Sequence, residues 1–363
     1  MNRMSSKKKL YKYTTLKNVA VRLRDDLNNH YVVLLYAYNG TGKTRLSMEF
    51  KDISKKRKKN PVTDTLYYNA YTEDLFHWNN DLENDTQRHL IINRNSQFFE
   101  GFKELALEEK IFSFLERYAD FDFRIDYDNW TITFNKGEDN NHIKISRGEE
   151  NIFIWCIFLA IAELAIDDDG SGSHNWVKFI YIDDPISSLD DNNAIGIASD
   201  LAKLLKKGKD KIKVVISSHH SLFYNVMYNE LKMIEHKSHF LHKNGTEGYI
   251  LMATNETPFF HHVALLSELK KASESGKVNT YHFNMLRSIL EKTSTFFGYD
   301  DFSDCISDIE DEVLFSRALN ILSHGKYSIY QPVEMNQDNK DLFNKILTTF
   351  LGKYEFQLPE VFA

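Results

Sequence analysis

A glycine-rich segment at 36–44, with the sequence YAYNGTGKT, contains the residue types that bind phosphate. Glycines let backbone N–H groups close around phosphate oxygens, and a helix that begins at this point adds partial positive charge. In such a loop Lys43 reaches the β- and γ-phosphates, and the Thr44 hydroxyl holds Mg²⁺. Ala37 stands where the usual pattern has its first glycine, and alanine is small enough for the loop to form. The residues that we expect to bind nucleotide here are Asn39, Gly40, Gly42, Lys43 and Thr44.

Two aspartates follow a run of strand-forming residues at 177–182. Asp183 lies where a carboxylate holds Mg²⁺, directly or through water, and Asp184 lies where a catalytic carboxylate orients the attacking water. The pair could instead cap the following helix, but the phosphate loop earlier in the chain favours a nucleotide site. His219 follows a further predicted strand at 214–217, and its imidazole either approaches the γ-phosphate or has a structural role.

The segment SRGEE at 146–150 precedes an apolar run at 152–162. The spacing of Ser146 and Glu149 predicts a capping box, in which each side chain hydrogen-bonds to the backbone N–H of the other residue. A capped helix N-terminus also binds anions, so Ser146 and Gly148 are candidates for contact with a nucleotide. The two roles are compatible.

Three polar residues late in the chain could cleave RNA without a metal ion. Arg287 and Glu291 are four residues apart on a predicted helix, and His324 follows Arg317 and Asn320 on another. His324 would act as general acid or base, Arg287 would stabilise charge on the phosphorane, and Glu291 would hold Arg287 or share the base role. RNA is the natural substrate because its 2′-OH supplies the nucleophile. The same residues could form only a surface ion pair and a histidine at a helix end.

Alternating strand and helix patterns place the first group of candidates at the ends of strands. Short β-branched and leucine-rich runs at 32–35, 177–182 and 214–217 are separated by helical patterns, which predicts an α/β fold with a largely parallel sheet. We expect this domain to cover 1–262 and a second, all-helical domain to cover 263–363. The helices predicted in the second domain are 263–271, 281–295, 312–322 and 341–351.

The composition excludes several classes of protein. The 363 residues are 42% hydrophobic, which is enough apolar material for two folded domains. A net charge of −7 excludes a globally basic nucleic-acid coat. The basic runs at 51–59 and 203–213 could follow a tRNA backbone or could equally be solvated surface. Two cysteines without a CxxC spacing exclude a disulfide scaffold and a cysteine-based zinc site. Since we find neither a signal peptide nor an apolar run of about 20 residues, we expect a cytoplasmic protein without membrane contact.

The order of the motifs resembles the ABC-type ATPase head. The phosphate loop is followed by SRGEE, then by IDDPISSLDD and then by SSHH. In that family two nucleotides are held between two heads, and the segment corresponding to SRGEE completes the site of the other subunit. The resemblance therefore implies a homodimer or higher homo-oligomer that binds ATP or GTP with Mg²⁺. It also implies slow hydrolysis, because the family's catalytic carboxylate is usually glutamate and Asp184 is one methylene shorter.

Longer segments are similar to the PrrC-type anticodon nucleases. The shared stretches include YYNAYTEDLFHWNNDL at 67–82, FIYIDDPISSLDDN, SHHSLFYNVMYNEL, YHFNMLRSILEKTSTFFGY and NILSHG. The spacing of Arg287, Glu291 and His324 also matches that family. The similarity covers most of the chain from 31 to 325.

The resemblance implies a nucleotide-gated tRNA endoribonuclease used in antiviral defence. It assigns 1–262 to an ABC-type P-loop ATPase head and 263–363 to a HEPN-like ribonuclease domain. The family cleaves the anticodon loop, typically of tRNA-Lys on the 5′ side of the wobble base, and leaves a 2′,3′-cyclic phosphate and a 5′-OH. GTP and thymidine nucleotides such as dTTP matter in the family. A type I restriction–modification complex typically keeps its members latent.

Two other functions stay open at this point. The chain could be an ABC-type sensor of DNA or of a partner protein, whose C-terminal domain is only an interaction module. It could also be a nuclease for another RNA or another tRNA. The sensor leaves the geometry of Arg287, Glu291 and His324 free, whereas the nuclease needs all three side chains close together.

Overall fold

The computed structural model describes residues 10–56, 64–69, 75–79, 89–96, 99, 107–137, 143–168, 172, 174–186, 191–209, 211–243, 248–255, 261–307, 334–354 and 356. The chain divides into two compact units, Met1–Pro258 and Phe259–Ala363.

The first unit alternates strands and helices, as the sequence pattern predicts. Its strands are β1 (Leu10–Tyr13), β2 (Val32–Ala37), β3 (Thr65–Asn69), β4 (Phe76–Asn79), β5 (His89–Ile92), β6 (Asp122–Asp126), β7 (Thr131–Asn135), β8 (Phe179–Asp183), β9 (Lys213–Ser218), β10 (His236–Lys243) and β11 (Tyr249–Ala253). Its helices are α1 (Leu16–Asn29), α2 (Lys43–Lys56), α3 (Glu108–Leu115), α4 (Arg147–Asp167), α5 (Asp191–Lys207) and α6 (Ser221–Glu230), and a 3-10 turn, Leu231–Met233, follows α6.

A seven-stranded sheet lies at the centre of this unit, in the order β1-β11-β10-β2-β9-β8-β3. The neighbours from β10 to β3 pair in parallel, while β1, β11 and β10 pair antiparallel. Every residue of β2 is buried, as expected for a parallel strand covered by helices on both faces. The predicted α/β fold with a largely parallel sheet is therefore confirmed.

The core lies on both faces of this sheet because successive strand residues point to opposite sides. On one face Leu23 of α1 and Leu46 of α2 pack with Leu35 of β2. On the other face α4, which is apolar around most of its circumference, packs against β3 through the rings of Trp155 and Tyr68, whose centroids are 4.9 Å apart. The sheet edge that carries the carboxyl ends of β2, β8 and β9 is thereby held in place.

A second, antiparallel sheet has the order β4-β5-β7-β6. Its strands are only four or five residues long, and their sequences show no clear pattern between 67 and 142. The sheet is stabilised by aromatic contacts, such as the edge-on packing of Phe134 of β7 against Phe153 of α4 at 4.9 Å.

The described part of the second unit consists mainly of helices. These are α7 (His261–Ser275), α8 (Thr280–Phe297) and α9 (Gln337–Lys353), with a 3-10 helix at Phe302–Ile306. The helices predicted at 263–271, 281–295 and 341–351 correspond to α7, α8 and α9, whereas the one predicted at 312–322 lies outside the described residues. Among the helices in the described ranges, none has the length and apolar character needed to cross a membrane.

Candidate nucleotide and nuclease sites

The phosphate loop joins β2 to α2 and is shaped by two glycines in the left-handed backbone region. The φ angle is 79° at Gly40 and 102° at Gly42, values that favour glycine. A Cβ atom on Gly42 would also lie 3.1 Å from Leu16 Cδ1 of α1, which is closer than most Cβ contacts. Packing therefore favours glycine at this position as well as the backbone angle does. Because α2 begins at Lys43, the N-terminus of that helix faces the loop. The predicted arrangement of strand, loop and helix is present.

Lys43 is buried, and its ammonium group is surrounded by oxygen atoms. Its Nζ donates to the carbonyl oxygen of Ala37 at 3.2 Å and to Oδ1 of Asn39 at 3.3 Å. The same Nζ forms an ion pair with Oδ2 of Asp184 at 3.0 Å. A phosphate bound in the loop would compete with Asp184 for this ammonium group.

Neighbouring strands bring polar partners to Asp183 at the end of β8. Ser217 of β9 and Asn69 of β3 lie opposite Asp183 in the parallel register. Ser217 Oγ donates to Asp183 Oδ1 at 2.7 Å. Burial raises the pKa of Asp183, while the hydroxyl groups of Ser217 and Thr44 oppose that rise.

Asp183 supplies an oxygen atom suited to a metal ion. Its Oδ2 is buried and has no hydrogen-bond partner among the described residues. A buried carboxylate oxygen without a partner is costly unless a cation or a donor satisfies it. Since Mg²⁺ prefers oxygen ligands, the Asp183 carboxylate and the Thr44 hydroxyl fit this ion. Within the part of the chain that the structure describes, no cluster of three or more His, Cys, Asp or Glu side chains could hold a metal.

Asp184 has a left-handed backbone, with φ at 52°. Its N–H donates to the carbonyl oxygen of Ser217 at 2.8 Å. Its Oδ1 accepts a hydrogen bond from the backbone N–H of His219 at 3.0 Å and lies 2.7 Å from His219 Nδ1. Burial opposes the ionisation of Asp184, but the hydrogen bond with His219 and the charge of Lys43 lower its pKa below the ordinary value. Asp184 is therefore a carboxylate held between Lys43 and His219.

Tyr67 and Ser47 belong to this site although the sequence analysis does not single them out. The Tyr67 hydroxyl accepts hydrogen bonds from Ser47 Oγ at 3.2 Å and from Asn69 Nδ2 at 3.0 Å. Burial, followed by the charge of Asp183, raises the pKa of Tyr67 to about 12. The signal that would have found Tyr67 is the pairing of β3 with β8, and that pairing joins segments more than 100 residues apart in the chain.

The predicted capping box is present at the start of α4. Ser146 Oγ accepts from the backbone N–H of Glu149 at 3.3 Å, and Glu149 Oε2 accepts from the backbone N–H of Ser146 at 2.7 Å. Ser146 is exposed and Gly148 is half-buried in the first turn. The hydrogen bonds of the Ser146 side chain stay within its own helix start, so contact with a nucleotide remains a prediction.

In the second unit, α8 brings Arg287 and Glu291 together. Arg287 Nε donates to Glu291 Oε1 at 2.7 Å. The Arg287 side chain is 19% exposed and its guanidinium lies 5.5 Å from the centre of the Phe302 ring, whereas Glu291 is 47% exposed. His324, Arg317 and Asn320 lie outside the described residues. The closeness of His324 to this pair therefore stays a prediction.

The basic run at 203–213 is partly neutralised by acidic neighbours. Lys206 forms an ion pair with Glu230 at 2.8 Å, and Lys207 forms one with Asp167 at 2.8 Å. These pairs favour the interpretation of the run as a solvated helix surface over that of an RNA-binding patch.

Comparison with known proteins gives one strong similarity along the chain. The "Anticodon nuclease" of Escherichia coli is 34% identical over 330 residues, which cover 82% of this chain and 82% of that protein. A family model described as an AAA domain matches residues 103–352. That match begins after the phosphate loop and extends into the second unit.

Solved structures are more distant. A chain in the complex of an archaeal ribosomal stalk protein and an archaeal ribosome recycling factor is 14% identical, with a TM-score of 0.33 over 60% of this chain. This chain spans only 37% of the length of that one. The SMC head domain from Thermotoga maritima is also 14% identical, with a TM-score of 0.30 over 61% of this chain and 89% of that domain.

The sequence comparison and the family model agree with the resemblance carried by the motifs. The AAA-domain model covers more than half of the chain, and the Escherichia coli relative is 34% identical across 82% of both sequences. The chain belongs to the anticodon nuclease family, and its residues 103–352 match the AAA-domain family.

Proposed function

We propose that this chain is a tRNA endonuclease that cuts the anticodon loop and is controlled by nucleotide bound to its own ATPase domain. The observation that carries the proposal is the 34% identity to an anticodon nuclease over 82% of both chains. The ion pair of Arg287 with Glu291 and the geometry around Lys43 support it from two separate parts of the chain.

For the nuclease step we assign roles to Arg287, Glu291 and His324 in the helical domain, 263–363. The 2′-oxygen of the RNA attacks the adjacent phosphorus, and the bond from phosphorus to the 5′-oxygen of the next nucleotide breaks. His324 and Glu291 are the groups that take the proton from the 2′-OH and supply one to the departing 5′-oxygen. Arg287 stabilises the added negative charge on the phosphorane. The products are a 2′,3′-cyclic phosphate and a 5′-OH, and the step consumes no water.

For the regulatory step we assign the binding of ATP or GTP, with dTTP as a further candidate, to the domain 1–262. Lys43 and the loop backbone would bind the phosphates, and Thr44 with Asp183 would hold Mg²⁺, which neutralises phosphate charge when bound. Asp184 would orient the attacking water. The N-terminus of α4, with Ser146 and Gly148, would bind the nucleotide of a second copy, so that nucleotide promotes a homodimer or higher homo-oligomer.

The family resemblance extends the proposal to biological context. We propose tRNA-Lys as the substrate, cleavage on the 5′ side of the wobble base, and a role in antiviral defence in the cytoplasm. A type I restriction–modification complex is the proposed silencing partner. The helical domain is proposed to be HEPN-like.

The experiment uses purified full-length protein, loaded in turn with each nucleotide and incubated with bulk tRNA. Wild type is compared with His324→Ala, Arg287→Ala and Lys270→Ala. The last variant is a matched control because Lys270 and Glu274 form another (i, i+4) pair in the second unit, at 4.0 Å. Sequencing with chemistry that captures 2′,3′-cyclic phosphates should show anticodon-loop breaks in wild type and Lys270→Ala only.

Intact tRNA after incubation with wild-type protein under every nucleotide would contradict the nuclease proposal and favour the ABC-type sensor. Breaks outside the anticodon loop would support a nuclease activity and contradict the proposed cleavage site. Using purified protein matters, because a silencing partner in the expression host would hide the activity.

A further inference from the structure

A tryptophan occupies a strained position in the turn between β6 and β7. Trp130 has a left-handed backbone with φ at 56°, a conformation that bulky side chains rarely adopt. The turn before it is formed by Asp126, whose Oδ1 accepts the backbone N–H groups of Asp128 and Asn129 at 2.9 and 3.0 Å. The Trp130 carbonyl oxygen accepts the N–H of Ile92 at 2.8 Å, which ties the turn to β5. Strain of this kind persists where the surrounding structure fixes it, and it is concentrated at functional positions.

Trp130 lines an open cavity of about 680 Å³. This volume is within the range of roughly 300–1,000 Å³ that is usual for small-molecule sites. The cavity belongs to the four-stranded sheet, which contributes no residue to the site around Lys43. Its polar lining among the described residues consists of His77, Asn93, Arg94 and Asn129, and none of the described lining side chains is acidic.

The lining groups together match the parts of a nucleotide. The indole of Trp130 offers a face on which a base can stack. The side chains of Arg94 and His77 are exposed and form no ion pair or hydrogen bond with any described residue, which leaves them available to a phosphate. Asn129 Nδ2 donates to Asp126 Oδ2 at 2.8 Å, and this bond orients an amide whose oxygen can accept from a base edge.

We propose that this cavity binds one unstacked nucleotide, with its base against Trp130 and its phosphate toward Arg94 and His77. The nucleotide belongs either to an unpaired loop of RNA or to a free mononucleotide, since both present the same base and phosphate. The RNA source rests on the proposed nuclease function, whereas the free nucleotide does not.

The test substitutes Trp130, because its left-handed backbone favours glycine whereas the proposed stacking requires its aromatic side chain. Trp130→Gly removes the stacking surface while glycine adopts the left-handed backbone readily, so the turn should form at least as well. The background is Lys43→Ala, which removes phosphate binding at the loop. One probe is a single-stranded RNA with 2′-fluoro groups, which has no 2′-OH nucleophile, and its Kd is measured by fluorescence anisotropy. The other probes are AMP and UMP, measured by calorimetry.

We expect Trp130→Gly to weaken probe binding by about ten-fold or more, because a base stacked on an aromatic side chain contributes strongly to affinity. Trp130→Phe should recover most of that loss. Phe112→Ala is the matched control, since Phe112 is 45% exposed on α3 and lies outside the cavity. Arg94→Gln is the second variant, because it removes an exposed charge without touching the turn, and it should also weaken binding.

A loss limited to the RNA probe identifies RNA as the source, and a loss that includes AMP or UMP identifies a free nucleotide. Equal Kd values, within two-fold, for the parent protein, Trp130→Gly and Arg94→Gln would overturn the proposal, as would a parent protein that binds no probe. Binding that depends on Trp130, together with intact tRNA after incubation with the wild-type protein under every nucleotide, would reject the proposed function and leave this inference standing.

Discussion

The backbone at Asp184 limits which carboxylate the proposed nucleotide site can use. Its φ angle of 52° lies in the left-handed region, where aspartate and asparagine are several-fold enriched among residues other than glycine. Their short polar side chains bond locally, as Asp184 does with His219. An aspartate at this position, where the motif resemblance to ABC-type heads leads one to expect glutamate, therefore matches its backbone conformation.

We predict that Asp184→Asn lowers the rate of nucleotide hydrolysis by about 100-fold or more, since a positioned carboxylate typically contributes that much. Nucleotide affinity should stay equal or become tighter, because Lys43 loses a competing carboxylate at 3.0 Å. Asparagine tolerates the left-handed backbone, but it removes the carboxylate that pairs with the buried Lys43, so the Tm should fall at neutral pH. Phosphate release, calorimetry and thermal unfolding measure the three quantities. Wild-type turnover in Asp184→Asn would show that another group orients the water.

We expect the buried charge of Asp183 to serve Mg²⁺ binding at a cost to the stability of the folded state. Because burial raises its pKa, the folded state binds the proton more tightly than the unfolded state, so this contribution to stability falls as pH rises from 3.8 through the raised pKa. We predict that Asp183→Asn raises the Tm at neutral pH without Mg²⁺, that the gain shrinks toward pH 4, and that the effect of Mg²⁺ on nucleotide binding is lost. Thermal unfolding against pH, with and without Mg²⁺, checks this. A Tm that falls at neutral pH would contradict the expected cost of the buried charge.

At the scale of elements, sequence patterns predict segments that are buried along most of their length. β2, β8 and β9 read as short apolar runs, and α4 as a long apolar run preceded by a capping signal, because complete burial leaves a continuous hydrophobic pattern. The strands of the second sheet were not predicted, because four or five residues that are half exposed do not distinguish a strand from a loop. The pairing of β3 with β8 joins segments that are distant in the chain, so it is not a local property of the sequence. The positions of Asn69 and Tyr67 beside Asp183 therefore could not be predicted from the sequence pattern.

Helix α7 carries a carboxyl group whose titration should appear in the stability of the second unit. Burial raises the pKa of Glu268 to about 7. The proton therefore stabilises the folded state below the ordinary pKa of 4.5, and that stability is lost as pH rises through about 7. We predict that Glu268→Gln raises the free energy of unfolding by roughly 1–3 kcal/mol at pH 8 and changes it little at pH 5. Denaturant unfolding at both values is the measurement. An equal effect at the two values would mean that burial does not control this carboxyl group.

At the scale of the whole molecule, the proposed dimer depends on the N-terminus of α4. Aspartate caps helices as well as serine does, but its charge would repel a phosphate. We predict that Ser146→Asp keeps the Tm and abolishes the dimer formed with nucleotide, measured by sedimentation in the Asp184→Asn background. Ser146→Ala should instead cost about 1 kcal/mol of stability through the lost cap. A dimer of unchanged affinity in Ser146→Asp would place the contact elsewhere.

The sequence by itself determined the chemistry and the family of this protein. Lys43, Thr44 and the pair Asp183 and Asp184 are recognisable because a phosphate loop and a strand-terminal carboxylate pair are each contained in one short segment. Only the tertiary structure decided how these segments meet: the parallel register places Ser217 beside Asp183 and leaves its Oδ2 without a partner among the described residues. The physical reason is that spacing along one segment sets local geometry, whereas pairing between distant strands depends on which surfaces the whole core buries.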